Sequence, residues 1–223
     1  MMEKFKQQFI EFALAEQVLR FGDFTLKSGR QSPYFFNSGL FNNGASLSRL
    51  ADFYATAMQK SGIEFDMLFG PAYKGIPLAT ALAIAFARDH NRSLPCSYNR
   101  KEAKNHGEGG VIMGAPLAGR VLIVDDVITA GTSVNESIGL IRGAGARPAG
   151  VVIAVDRQER GRNGPSAVQE VEQAHGIRVI SIVTLDDLVV YLEQAGKLGR
   201  ELEAVRHYRA LYGIGSPVLS GQT

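Results

Sequence analysis

Two carboxylates, Asp125 and Asp126, follow directly on four apolar residues, 121–124, and precede a run of small residues from Thr129 to Ser133, in the stretch VLIVDDVITAGTS. Three of the four apolar residues are β-branched, which predicts a short buried strand, and a helical pattern begins near Val134. A strand, a Gly/Thr turn and a helix start bring several backbone N–H groups around one point, where the helix dipole favours an anion. Two acids beside that point are ill suited to a bare phosphate. They suit a ligand with a phosphate at one end and hydroxyls, or a metal ion, at the other, as in ribose 5-phosphate. An ordinary strand-to-helix turn with Asp126 helping to cap the helix accounts for Gly131 and one acid, but leaves the second acid and TAGTS unexplained.

Three further sets of residues carry charge to matching places. Residues 70–75, GPAYKG, follow another short apolar run and precede a helical one; the glycines permit close backbone approach and Lys74 adds a cation beside a second anion. Residues 99–110, NRKEAKNHGEGG, hold Arg100, Lys101, Lys104 and His106 among glycines. That segment is too polar to pack a core and is expected to be a solvated loop, mobile when empty, that folds over a leaving anion. Arg157 follows the apolar run 151–155, and its guanidinium suits a substrate carboxylate because it bonds both oxygens, although pairing with Asp156 or Glu159 would also satisfy it. Other phosphate motifs fail. Residues 114–120 have Walker-type glycine spacing without the Lys-Ser/Thr ending, and Gly143 and Gly145 read as a helix end.

The elements that must position these groups alternate. Apolar runs at 67–69, 121–124, 151–155 and 178–183 precede helical patterns at 76–87, 134–142, 166–174 and 185–194, with Thr184 placed as an N-cap. Fully apolar strands separated by helices predict an α/β fold with a mainly parallel sheet covered on both faces and ligands at the carboxyl ends of its strands. The first forty residues differ: a helix with Phe5, Phe9 and Phe12 on one face, then strand-like 24–27 and 33–37, read as a small hood. One domain over 1–213 and a fraying tail over 214–223 are expected. A net charge of +2 gives no global attraction to nucleic acid or membrane, so local clusters must recognise any anion. The amino-terminal acids Glu3, Glu11 and Glu16 argue against a signal peptide, and the apolar run 78–87 is too short to span a bilayer. A lone Cys96 in a strand-like run reads as core and fits a reduced cytoplasm, and four scattered histidines offer no zinc spacing.

The order of residues in 121–133 resembles the signature of the type I phosphoribosyltransferases, which use phosphoribosyl diphosphate (PRPP). The resemblance implies that Asp125 and Asp126 contact the ribose hydroxyls. It assigns Thr129, Ala130, Gly131, Thr132 and Ser133 to the turn that holds the 5-phosphate, Val127 and Ile128 to the same PRPP site, and Tyr73 and Lys74 to a pyrophosphate loop. RKEAK followed by His106 resembles the catalytic loop of the orotate phosphoribosyltransferases, as do FTLKSGR at 24–30 and SPYFFN at 32–37. By that resemblance Arg100, Lys101, Lys104, His106 and Lys27 bind PRPP, while Phe35, Phe36, Thr129 and Arg157 bind orotate, Phe36 being partly core as well. It further implies Mg2+ carried mainly by PRPP with no protein ligand assigned, and a cytoplasmic homodimer in which Lys27 and Lys101 reach the neighbour's site. A purine phosphoribosyltransferase is disfavoured by Phe35, Phe36, Arg157 and RKEAK. A noncatalytic PRPP-sensing regulator would need a nucleic-acid-binding module for which no basic segment is spare.

Overall fold

The computed structural model describes residues 2–26, 28–104, 110–161, 164–196 and 198–214, of 102–104 the backbone alone. Helix α1 (Lys4–Ala15) is amphipathic and buries Phe9, Ile10, Phe12 and Ala13. It leads into an antiparallel hairpin, β1 (Leu19–Thr25) and β2 (Gln31–Phe36). The hairpin begins earlier than the strand-like run at 24 suggested, because Leu19, buried beside Val18, already pairs with Phe36. Helix α2 (Gly44–Ser61), unassigned in the sequence, opens on a capping box between Asn43 and Ser46 and buries Leu50, Ala51, Tyr54, Ala55 and Met58 at helical spacing.

The sheet that follows has the order β5-β4-β3-β6-β7-β8. Its members are β3 (Met67–Gly70), β4 (Cys96–Lys104), β5 (Gly110–Gly114), β6 (Arg120–Val124), β7 (Arg147–Asp156) and β8 (Arg178–Thr184), and only the β4–β5 pair is antiparallel. Helices α3 (Gly75–His90), α4 (Thr132–Gly143), α5 (Ala167–His175) and α6 (Leu185–Ala195) connect or follow these strands, and α7 (Gly199–Tyr212) closes the described chain. Thr184 caps α6, its hydroxyl accepting from the Asp187 amide, as the sequence predicts.

Strand side chains alternate between two apolar clusters. Leu68, Leu122, Val124, Val152, Ala154 and Ile182 face α1, α2, α3 and α6, whereas Met67, Phe69, Val121, Ile123, Val151 and Ile153 face α4 and α5. Both faces are therefore buried, which is why these strands read as unbroken apolar runs.

The described part of the cationic segment, 99–104 and 110, is strand rather than the loop expected. Strand β4 continues through Lys104 and returns as β5, with Lys104 paired to Gly110 and a register shift after Asn99. Cross-strand hydrogen bonds supply an ordering that polarity alone does not reveal, and an edge pair tolerates charged side chains. Residues 105–109, including His106, lie outside the described residues, as do Lys27 and 215–223. Among the described residues no helix is long and apolar enough to cross a membrane.

Candidate active site

Asp125 and Asp126 extend β6 by one further step of pairing: the Asp125 amide donates to the Val152 carbonyl at 3.0 Å, and the Ala154 amide to the Asp126 carbonyl at 2.9 Å. The acids are thereby fixed to the central sheet, and both are buried. Their side chains are held differently. Asp125 accepts from the Asp126 amide at 2.9 Å and weakly from Ser133 Oγ at 3.4 Å. Asp126 Oδ2 accepts from Ser38 Oγ at 2.5 Å and from Lys74 Nζ at 2.7 Å. Burial, and then the neighbouring Asp126 charge, push the Asp125 carboxyl up to about 7. Beneath them the Tyr54 hydroxyl donates to the Asp125 carbonyl at 2.7 Å, and burial and the two acids hold it well above its ordinary range, so it stays a donor.

The turn after the acids is open. Gly131, at φ +69°, caps α4 with no side-chain cap bond, so Asp126 does not serve as a helix cap. The first amides of α4 thus lack the intrahelical partners that interior amides have. Thr129, Ala130 and Thr132 are exposed around them. Such an uncapped helix start is suited to an anion.

The turn from β3 to α3 is closed instead. A Cβ on Gly70 would collide with the Gly75 carbonyl, and one on Gly75 would lie 2.5 Å from Pro71 Cδ and 2.7 Å from the Val124 carbonyl oxygen. The Ala72–Tyr73 peptide is cis. The Ala72 amide donates to Asn99 Oδ1 at 2.9 Å, joining this turn to β4. Tyr73 is 67% exposed, and Lys101 Nζ lies 5.0 Å from its ring centroid. Arg100 Nε is buried without a hydrogen-bond partner among the described residues.

Arg157, just past β7, meets the hairpin. Its Nη2 donates to Ser32 Oγ at 3.2 Å, its plane lies 4.4 Å from the Tyr34 ring centroid, and Nε donates to Glu159 Oε1 at 2.6 Å. Of the two alternatives open in the sequence, Glu159 rather than Asp156 is the ion-pair partner.

A model of the phosphoribosyl transferase domain matches residues 37–182. The chain is 61% identical to the orotate phosphoribosyltransferase of Klebsiella pneumoniae subsp. pneumoniae, over 96% of this chain and 100% of the relative. It is likewise 61% identical to that of Thioalkalivibrio sulfidiphilus, with the same coverage. The crystal structure of the Francisella tularensis orotate phosphoribosyltransferase superposes with a TM-score of 0.84 at 44% identity, covering 92% of this chain and 99% of that one. The chain belongs to the orotate phosphoribosyltransferase family. It transfers the ribose 5-phosphate group of PRPP to orotate, giving orotidine 5′-phosphate and diphosphate in the synthesis of UMP.

For an orotate phosphoribosyltransferase, the fold draws together most of the residues singled out from sequence. The acids, Tyr73, Lys74, Arg100, Lys101 and the turn 129–133 gather at the carboxyl ends of β3, β4 and β6. Phe35 and Phe36 are separated by the alternation of β2. Phe36 packs on the main core beside Phe9, whereas Phe35 stacks on Phe24 under Arg20. Lys27 and His106 lie outside the described residues, and of Lys104 only the backbone is described. Sequence reasoning missed Ser38, Asn99 and Ser32. Each is an uncharged polar residue outside any recognised spacing of charged groups, and only its contact with Asp126, Ala72 or Arg157 marks it.

Proposed function

We propose that Asp125 and Asp126 hold the ribose hydroxyls and stabilise the positive charge that develops on the sugar as diphosphate departs. The observation that carries this is the asymmetry of the pair: Asp126 is already bound to Lys74 and Ser38, while Asp125 keeps a weakly engaged oxygen beside the anion cradle. Residues 127–133 take the 5-phosphate on the free amides of α4. Tyr73, Lys74, Arg100, Lys101, Lys104 and His106 surround the diphosphate, and Lys27 approaches PRPP from the hairpin. Arg157, with Thr129, Phe35 and Phe36, receives orotate, the guanidinium binding its carboxylate. The chemistry is positioning and electrostatics, without a covalent intermediate.

Among the described residues no cluster of three or more His, Cys, Asp or Glu is gathered for a metal. A pair of carboxylates next to phosphate sites fits Mg2+, which keeps its waters and rests on substrate oxygens with few protein ligands. Bound with PRPP, it supplies charge neutralisation for the leaving diphosphate. The site residues of each chain belong to one domain, 1–213, of a cytoplasmic homodimer in which Lys27 and Lys101 serve the neighbouring subunit's PRPP.

The test combines two variants. Asp125→Asn with Asp126→Asn should fold normally and lose about 10²–10³ in turnover, the usual loss for a preorganised electrostatic contact. Lys101→Ala should lose much activity and little stability, since a solvated lysine contributes little to folding. After subunit exchange between the two inactive proteins, partial recovery of activity supports a shared site. Recovery absent despite exchange seen by mass spectrometry returns Lys101 to its own subunit, and near-normal turnover in the double mutant removes the acids from the mechanism.

A further inference from the structure

Arg157 is held rather than free, and the holding group is Glu159. Its Oε1 lies 2.6 Å from the Nε and Nη2 edge of the guanidinium. The same oxygen accepts from the Tyr208 hydroxyl on α7 at 2.8 Å. The other, Oε2, is 3.5 Å from Arg30 Nη1, at the end of the hairpin turn. Arg30 donates in addition to the Arg160 carbonyl at 2.9 Å and lies 5.0 Å from the Tyr212 ring centroid. The Arg160 amide donates to the Tyr212 carbonyl at 2.7 Å. Between Arg157 and Glu159, Gln158 takes φ +49°, a conformation that non-glycine residues seldom adopt. It is locked there by its own side chain, which accepts from the Asp186 amide at 2.9 Å and donates to the Asp186 carboxylate. One carboxylate thus ties the β7 loop, the hairpin and the carboxy-terminal helix together.

An exposed ion pair of this kind would simply neutralise the arginine. This one is partly buried, with side-chain exposures of 12% for Arg157 and 17% for Glu159, and it is directional. Glu159 covers the Nε–Nη2 edge, Tyr34 covers one face, and Ser32 takes an Nη2 hydrogen at the longer distance of 3.2 Å. Among the described residues Nη1 makes no hydrogen bond, so a planar carboxylate can meet Nη1 directly and reach Nη2 by displacing the longer Ser32 bond. Arg30 sits against the other oxygen of Glu159 and offsets part of its charge. Fixing the arginine in advance removes the rotamer entropy that substrate binding would otherwise have to overcome.

We propose that Glu159, carried by Tyr208 of α7 and Arg30 of the hairpin, is a positioning residue that presents the Nη1 side of Arg157 to the carboxylate of the base and thereby sets the preference for a carboxylated pyrimidine. The proposal rests on Arg157 being the carboxylate receptor. Its test measures KM for orotate and for PRPP, kcat, and inhibition by orotidine 5′-phosphate against uridine 5′-phosphate, two nucleotides that differ by that carboxylate alone. Glu159→Ala should raise the orotate KM about tenfold, the effect of freeing one long side chain, and leave the PRPP KM within about twofold. It should narrow the preference for orotidine 5′-phosphate by the same factor. Glu159→Gln, which keeps an acceptor at Oε1, should restore most of the loss. Tyr208→Phe, which removes one hydroxyl and is compatible with folding even where Glu159→Ala is not, should repeat the pattern at smaller size.

Equal rises in both KM values, or an unchanged nucleotide preference in Glu159→Ala and Tyr208→Phe while Arg157→Ala abolishes that preference, would overturn the positioning role and leave the receptor reading standing. An unchanged preference in Arg157→Ala would overturn the receptor reading and the proposal with it.

Discussion

The two turns at the heart of the site are built on the same plan and do opposite things. Each leaves a parallel strand and enters a helix, β3 to α3 and β6 to α4, and the strands are neighbours. The first is packed shut, with Gly75 against Pro71 and the Val124 carbonyl, and it sends a half-exposed lysine across to Asp126. The second stays open, with its glycine in the left-handed region and its first helical amides uncapped by any side chain. The closed turn places a cation by rigidity. The open turn leaves room for an anion. Neighbouring strand ends can thus carry complementary charge, because the sheet fixes their spacing.

Substitutions should separate the two kinds of turn. The largest effect is expected at Gly75→Ala, where the new methyl meets backbone atoms that cannot yield. Overpacking of this type costs about 3 kcal/mol, to be read from urea unfolding midpoints. A change below the error of the measurement would show that the closed turn is loose.

Asp125→Asn should act in the other direction on stability. The folded-state pKa of Asp125 is raised to about 7, so between its unfolded value and that point the folded state binds more protons than the unfolded one. Stability contributed at this position is therefore greatest in acid and falls as pH rises through the folded pKa. The neutral amide escapes that loss. The unliganded variant should be more stable than the parent by about 2 kcal/mol at pH 8, with the difference vanishing near pH 4. Thermal unfolding across that range checks it, and a pH-independent difference would refute the burial of charge as its cause.

Gly131→Ala should cost least. Its methyl would meet only side-chain atoms, of Val171 at 3.3 Å and of Asn135 at 3.6 Å, so the penalty is that of a left-handed residue, about 1 kcal/mol. Phosphate or PRPP affinity, measured by calorimetry, should fall with it if the turn's shape is what binds. Unchanged affinity would assign the anion to side chains instead.

The legibility of this chain followed the same division. Residues whose meaning is local were readable: the apolar runs that became β6, β7 and β8, the Thr184 cap, and the acidic pair with its small-residue turn. Each depends on a spacing of a few residues, and unbroken apolar strands have few fates other than a sheet buried on both faces. Less was readable where partners lie far apart. Helix α7 buries only Val205 and Tyr208, so its periodicity is faint, and its place follows from Glu159 and the hairpin. The strand character of the cationic segment comes from pairing with β5.

What the sequence by itself determined is the alternation of strands and helices from β6 to α6, the family, and the identity of the chemical groups at the strand ends. Tertiary structure decided which carboxylate is paired and which is raised toward neutrality, because Ser38 and Lys74, from segments 88 and 52 residues away, both converge on Asp126 and leave Asp125 to burial and repulsion. Spacing along a chain specifies which groups exist. Only the packed fold sets their distances, and electrostatic energy in a low-dielectric interior depends on distance.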